Sequence, residues 1–131
     1  MQATTASAIS LNVRDVEASR DFFARHMGFA EAMAADGFVS MARKDVGYNL
    51  IFLRQGLASL QPETLKHAHA GGLLLAFVVP DLDAEEARLR AEGVPITTPL
   101  QTEPWGERFF QVTDPNGLLV QFVQWMTSPE A

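Results

Sequence analysis

Cysteine is absent from the chain, which rules out disulfides and thiolate chemistry. Basic residues are scarce: 10 Lys and Arg stand against 16 Asp and Glu, a formal net charge of −6. Such a chain has little with which to neutralise phosphates, so no nucleic-acid partner is expected. The negative balance favours solubility and, secondarily, a cationic ligand. No apolar stretch approaches the ~20 residues of a membrane helix, so no membrane association is expected. The opening MQATTASAIS has no basic start followed by an apolar block, so no signal peptide is expected and the cytoplasm is the default location. Also missing are a serine-nucleophile context, a glycine-rich phosphate loop and a paired-carboxylate motif. No catalytic residue is therefore assigned.

What is there reads as an ordinary globular protein. Apolar residues make up 47% and charged residues 20% of 131 positions, enough for a single domain with its own core. Residues 8–13, AISLNV, alternate as a strand does, with Ile9, Leu11 and Val13 on one side and Ala8, Ser10 and Asn12 on the other. Asp15 is placed to cap a helix whose apolar stripe is Val16, Phe22, Phe23 and Met27, with Gly28 at its end. Three strands follow over 29–34, 37–43 and 46–54, with turns at Asp36-Gly37 and at Asp45-Val46-Gly47. Residues 55–71, with weak periodicity, Pro62 and two glycines, read as a linker with a helical turn near Thr64–His69.

The pattern then returns. GLLLAFVV (72–79) is a buried strand. Asp83 with Glu86 fits a capping box, Leu82 and Leu89 point inward, and Gly93-Val94-Pro95 ends the helix. Strands are expected over 96–102, 107–113 and 117–125. Each half thus reads strand–helix–strand–strand–strand, an internal repeat. The fold class is α+β: two βαβββ modules, about 5–54 and 72–126, forming curved sheets around a cleft.

Asp114-Pro115-Asn116-Gly117 predicts a type I turn closed by a glycine bulge, the three-residue hairpin loop. In that register Gln111 faces Gln121 and Phe109 faces Val123, on one face with Leu119 and Trp125, while Phe110 and Val112 pack under the second helix. A four-residue loop would shift the pairing. Gln121 interrupts an otherwise apolar strand, LLVQFVQW, so it either bonds inside the core or faces a cavity.

Several of these stretches resemble the vicinal oxygen chelate superfamily, which includes glyoxalase I, extradiol dioxygenases, and fosfomycin- and bleomycin-resistance proteins. The resemblance covers nearly the whole chain. It rests on Asp15…Ser19…Phe22-Phe23…Gly28-Phe29, on Asp114-Pro115-Asn116-Gly117 and on the doubled βαβββ order. Trp105-Gly106 before the penultimate strand is nearest to the bleomycin-resistance-like branch.

The metal enzymes of that superfamily carry His, Glu or Gln ligands on the first, fourth, fifth and eighth strands. The resemblance maps those positions onto Ala8, Ile51, Leu74 and Gln121. A lone neutral amide does not hold a divalent ion against water. No metal and no cofactor are therefore expected.

The resemblance implies instead a pocket for a small, partly apolar organic molecule, as in antibiotic-resistance binding proteins. Its ligand-binding residues would be Asn12, Asn49, Ile51, Trp105, Phe109, Gln111, Gln121 and Trp125. Trp105 would sit at the rim, between Glu103 and Glu107. Arg108 would pair with one of those carboxylates or reach a ligand anion. His26 is structural, favoured at a helix end, and His67 and His69 are solvent-exposed. A homodimer is implied as well. Two other functions stay open: a lyase, isomerase or dioxygenase-like enzyme with unconventional ligands such as His67, and a scaffold that only assembles subunits.

Overall fold

Two βαβββ modules follow one another along the chain in the computed structural model, which describes residues 1–58 and 62–126. Residues 59–61, inside the segment read as a linker, lie outside the described residues. The chain divides into two units, Met1–Gly71 and Gly72–Ala131. The first contains β1 (Ala8–Val13), α1 (Val16–His26), β2 (Ala30–Ala35), β3 (Phe38–Ala42) and β4 (Asn49–Arg54). The second contains β5 (Leu74–Val78), α2 (Leu82–Ala91), β6 (Ile96–Thr102), β7 (Glu107–Thr113) and β8 (Leu119–Trp125). Each sheet has four strands, in the orders β1-β4-β3-β2 and β5-β8-β7-β6. In each the first pair is parallel and the others antiparallel. Among the described residues no helix is long and apolar enough to cross a membrane.

The helices begin where short acidic side chains satisfy free backbone donors. Asp15 is extended, and its carboxylate accepts from the Ala18 amide at 3.1 Å. Asp81 does the same for Ala84 at 3.1 Å. The cap therefore lies at Asp81, two residues before the expected Asp83, and with Ala84 at N3 no capping box forms. Asp81 is extended and Leu82 is already helical, which leaves Asp83 inside the first turn. Asp15→Ala or Asp81→Ala should each cost about 1 kcal/mol in a urea titration, and the corresponding Ser variants should recover most of it.

Gly28, at φ +72°, ends α1, with the Phe29 amide bonded back to the Phe23 carbonyl at 3.1 Å. Arg43 clamps this end. Its guanidinium donates to the Met27 carbonyl at 3.0 Å and pairs with Asp45 at 2.7 Å.

The first core lies between α1 and one face of its sheet. Phe23, fully buried, meets Phe52 at 5.3 Å and Phe29 at 5.7 Å between ring centres, above Leu11, Val13, Met41 and Leu50. The second core repeats the scheme. Leu82 and Leu89 of α2 are fully buried, and the sheet supplies Leu75, Phe77, Phe110, Val112, Val120 and Phe122. Phe122 stacks on Phe110 at 5.1 Å and 19°, and lies 6.1 Å from Phe77.

Residues 55–71 belong to the first unit. A 3-10 turn spans Glu63–Leu65, a residue earlier than the helical turn expected near Thr64–His69. Hydrogen bonds tie this segment to the strand ends: Asn12 Nδ2 to the Leu65 carbonyl (3.0 Å), Ala70 N to the Asn12 carbonyl (2.8 Å), Gln55 Nε2 to the His67 carbonyl (2.7 Å) and Gly56 N to the Lys66 carbonyl (2.7 Å).

Candidate ligand-binding face

Strand alternation leaves each sheet with a second face that its own helix does not cover. In the second module β5 shows it plainly: Leu75 and Phe77 are buried, whereas Leu74 and Val78 are 43% and 65% exposed. The uncovered face continues through Leu119, Gln121, Val123 and Trp125 on β8, Glu107, Phe109, Gln111 and Thr113 on β7, and Thr98 on β6.

The register places Gln111 opposite Gln121, Phe109 opposite Val123 and Glu107 opposite Trp125, as the three-residue loop predicts. That loop is Pro115-Asn116-Gly117. The Gly117 amide donates to the Asp114 carbonyl at 2.9 Å, Asp114 N to the Leu118 carbonyl at 2.9 Å, and Gly117 adopts φ +86°. The buried Asp114 carboxylate accepts from the Asn116 and Leu118 amides at 2.9 and 2.8 Å, which holds the turn closed.

A polar row crosses this otherwise apolar face. Thr98 Oγ1 donates to Gln111 Oε1 at 2.8 Å, Gln111 Nε2 to Gln121 Oε1 at 2.7 Å, and Gln121 Nε2 to Glu107 Oε2 at 3.4 Å. Trp105 Nε1 donates to the other Glu107 oxygen at 3.1 Å. One carboxylate dictates the direction of the row. An ionised Glu107 only accepts, so Gln121 must turn its amide nitrogen toward it and its oxygen toward Gln111. Gln111 must then donate to Gln121 and offer its oxygen to Thr98, whose single proton is spent there.

Glu107 lies four residues along β7 from Gln111, about 13 Å of strand. The Gln121–Glu107 contact therefore requires both long side chains to lie along the sheet, over the Phe109–Val123 pair. Val123, 3% exposed, and Gln121, 8% exposed, fit that arrangement.

Arg108, one residue away, alternates to the helix face. Its guanidinium reaches Asp83 in the first turn of α2 at 3.2 and 3.4 Å. The expected pairing of Arg108 with Glu103 or Glu107 is thus replaced by a contact on the opposite side of the sheet. Among the described residues no cation pairs with Glu107. Trp105 stands 61% exposed in the turn before β7, and Trp125 is half-buried.

In the first module Asn49, Ile51 and Leu53 are half-buried on the uncovered face, in register with Ala8, Ser10 and Asn12. The Asn12 side-chain amide serves the Leu65 carbonyl, a structural task that the sequence gives no sign of. A cavity of about 610 Å³ opens elsewhere in this module, between the start of α1 and the β2–β3 hairpin. Arg14, Arg20, Asp36, Phe38 and Arg54 are among its lining, and none of the expected ligand-binding residues is. Arg54 and Asp36 form an ion pair within its lining. Arg54 holds the Asp36 carboxyl below its ordinary range through a hydrogen bond and charge attraction, and Arg20 pairs with Asp21 at 3.0 Å.

Donor chemistry decides whether this face suits a divalent metal. Ala8, Ile51 and Leu74 carry no ligating atom, and both ends of the Gln121 amide are engaged by Gln111 and Glu107. Among the described residues no group of three or more His, Cys, Asp or Glu is placed to hold a metal ion. The superfamily's divalent ion does not fit these four positions.

Sequence reasoning gives Thr98 no role and Glu107, at the start of an expected strand, only a place beside Trp105. The signal for Glu107 was the two-residue period, which sets it on the same face as Phe109 and Gln111.

Comparison with solved structures agrees with this architecture. A glyoxalase/bleomycin resistance protein/dioxygenase from Nocardioides superposes with a TM-score of 0.79 at 21% identity, over 98% of this chain and 89% of that one. A lactoylglutathione lyase from Agrobacterium tumefaciens gives 0.73 at 18%, over 95% and 96%. An antibiotic binding protein from a Streptomyces species gives 0.69 at 24%, over 95% and 98%. No curated protein matches. The family model for the Glyoxalase/Bleomycin resistance protein/Dioxygenase superfamily covers residues 5–122, from the strand before the first cap to the strand that carries Gln121. With both βαβββ modules in place, the chain belongs to that superfamily.

Proposed function

We propose that this protein binds a small, partly apolar organic molecule on the uncovered face of β5–β8 and performs no metal-dependent chemistry on it. The observation that carries the reading is the replacement of metal-ligating side chains by Ala8, Ile51 and Leu74, with the fourth position, Gln121, committed to its neighbours' amide and carboxylate. The face that remains offers Phe109, Leu74, Val78 and Trp125 around a narrow polar row, the mix of apolar area and few polar groups that suits such a ligand. An antibiotic binding protein among the structural neighbours supports the reading, because the same fold there serves binding.

Both tryptophans, Trp105 and Trp125, lie at or beside this face, so occupancy is readable from intrinsic fluorescence. Flat aromatic amides such as 2-naphthamide should raise the melting temperature and quench tryptophan emission. Elemental analysis of protein purified without added metal should show no stoichiometric divalent ion, and added Ni, Zn or Mn salts should leave the melting temperature unchanged. A tightly held divalent ion, one per chain, would replace this reading with an enzymatic one of the lyase or dioxygenase type.

A further inference from the structure

Every hydrogen bond of the polar row is donated in the direction of one residue, Glu107. The Trp105 indole N–H, one N–H each of Gln121 and Gln111, and the Thr98 hydroxyl proton are each spent in the direction of Glu107. Both ends of the row are therefore left as acceptors. Thr98 Oγ1 has given its only proton, and a carboxylate has four lone-pair sites, of which two are used. Mid-row, Gln111 keeps a second N–H, and Gln121 is buried.

Glu107 is half-buried, sits beside the exposed Trp105, and has no cation partner among the described residues. A partly desolvated carboxylate with spare lone pairs gains most from an incoming donor, since its hydrogen bonds are charge-assisted. A ligand acceptor brought to the same place would meet only lone pairs and would lose its own hydration.

We infer that Glu107 is the specificity-determining residue of this face, and that it selects organic ligands whose polar edge presents N–H donors rather than acceptors. The inference rests on the binding function proposed above and adds the polarity of the ligand to it. Glu107 acts twice: it meets the ligand's N–H directly, and it orients Gln121 and Gln111. The flat part of the ligand lies against Phe109 and the indole of Trp105 or Trp125, in the stacked geometry that aromatic faces favour.

The test uses three probes with one flat body, measured by calorimetric titration of the full chain: 2-naphthamidine, 2-naphthamide and N,N-dimethyl-2-naphthamide. The comparison of the two amides carries the result, because both are neutral and the chain's net charge of −6 cannot favour either. 2-Naphthamide should bind about tenfold more tightly than its dimethyl derivative, the factor that one ordinary hydrogen bond to a charged group supplies. 2-Naphthamidine should bind more tightly still, with a preference that survives raised salt, since contact pairs are screened less than distant ones.

In Glu107→Gln the discrimination between the amides should collapse, because the new amide can present either a donor or an acceptor. In Glu103→Gln, which removes a neighbouring carboxylate that takes no part in the row, the discrimination should persist. Equal binding of the two amides by the unaltered protein would overturn the inference and leave the binding function standing. A preference that persists in Glu107→Gln, or one lost equally in Glu103→Gln, would assign the selection to another residue or to charge in general and overturn it too. Failure of all three probes to bind would overturn both this inference and the function on which it rests.

Discussion

Phe122→Ala should cost the second module about 3–5 kcal/mol, the usual toll of deleting a fully buried aromatic ring. Phe122 is 1% exposed and sits at the centre of its core, stacked on Phe110 at 5.1 Å and facing Phe77 at 6.1 Å. Two effects add up. The ring's transfer from water is lost, and a cavity remains because Leu82, Leu89, Val112 and Val120 are held by α2 and by the sheet ladder. Phe122→Leu keeps most of the volume and should cost less than about 1.5 kcal/mol. Both tryptophans lie in the second unit, so tryptophan emission in a urea titration reports on that unit. A Phe122→Ala transition superimposed on that of Phe122→Leu would show that the ring does not anchor this core.

The same residue explains why a binding face and a core can share one strand. β8 sends Val120, Phe122 and Gln124 toward α2, where the Gln124 side chain accepts from the Leu82 amide at 3.0 Å. Gln121, Val123 and Trp125 face the other way. Stability is built on one side of the sheet and the proposed ligand face lies on the other, so substitutions on the polar row should change ligand preference more than folding. A buried ring on the helix side should do the reverse.

This division was largely legible in the sequence, for a physical reason. Period-two alternation in AISLNV and in ERFFQVT fixes which side chains share a face, and Asp-Pro-Asn-Gly indicates the loop length and with it the register. With a three-residue loop those two facts set Gln111 opposite Gln121; a four-residue loop, which the same residues leave open, would shift the pair. Other features depend on which neighbours fold alongside. Asp81 rather than Asp83 caps α2; both are aspartates with helical residues after them, so composition does not separate them. Arg108 was assigned to nearby carboxylates by closeness in sequence, yet alternation carries it to Asp83 on the helix side. The engagement of Asn12 with the Leu65 carbonyl joins residues 53 positions apart, and no local pattern announces it. The direction of the Thr98–Gln111–Gln121–Glu107 row needed the register of three strands at once, since Thr98 reaches Gln111 from β6.

Asp114→Ala is expected to be the most damaging single change in the turn of the last hairpin, and its effect should reach the proposed ligand face. The Asp114 carboxylate, 4% exposed, accepts from two backbone amides, Asn116 at 2.9 Å and Leu118 at 2.8 Å. Removing it leaves both donors without that partner inside the turn, for an expected loss of about 2–4 kcal/mol. Asp114→Asn keeps an acceptor oxygen in the same place and should recover roughly half. The functional consequence follows from the period of a strand. A slip of one residue between β7 and β8 would move Gln111 or Gln121 to the helix face and dismantle the polar row. Asp114→Ala should therefore lose the discrimination between 2-naphthamide and its dimethyl derivative even at a temperature where the protein remains folded. Asp114→Asn should retain it. An Asp114→Ala protein within about 0.5 kcal/mol of the parent, the range of a neutral surface change, and with its ligand preference intact, would mean that Pro115 and Gly117 set the register unaided.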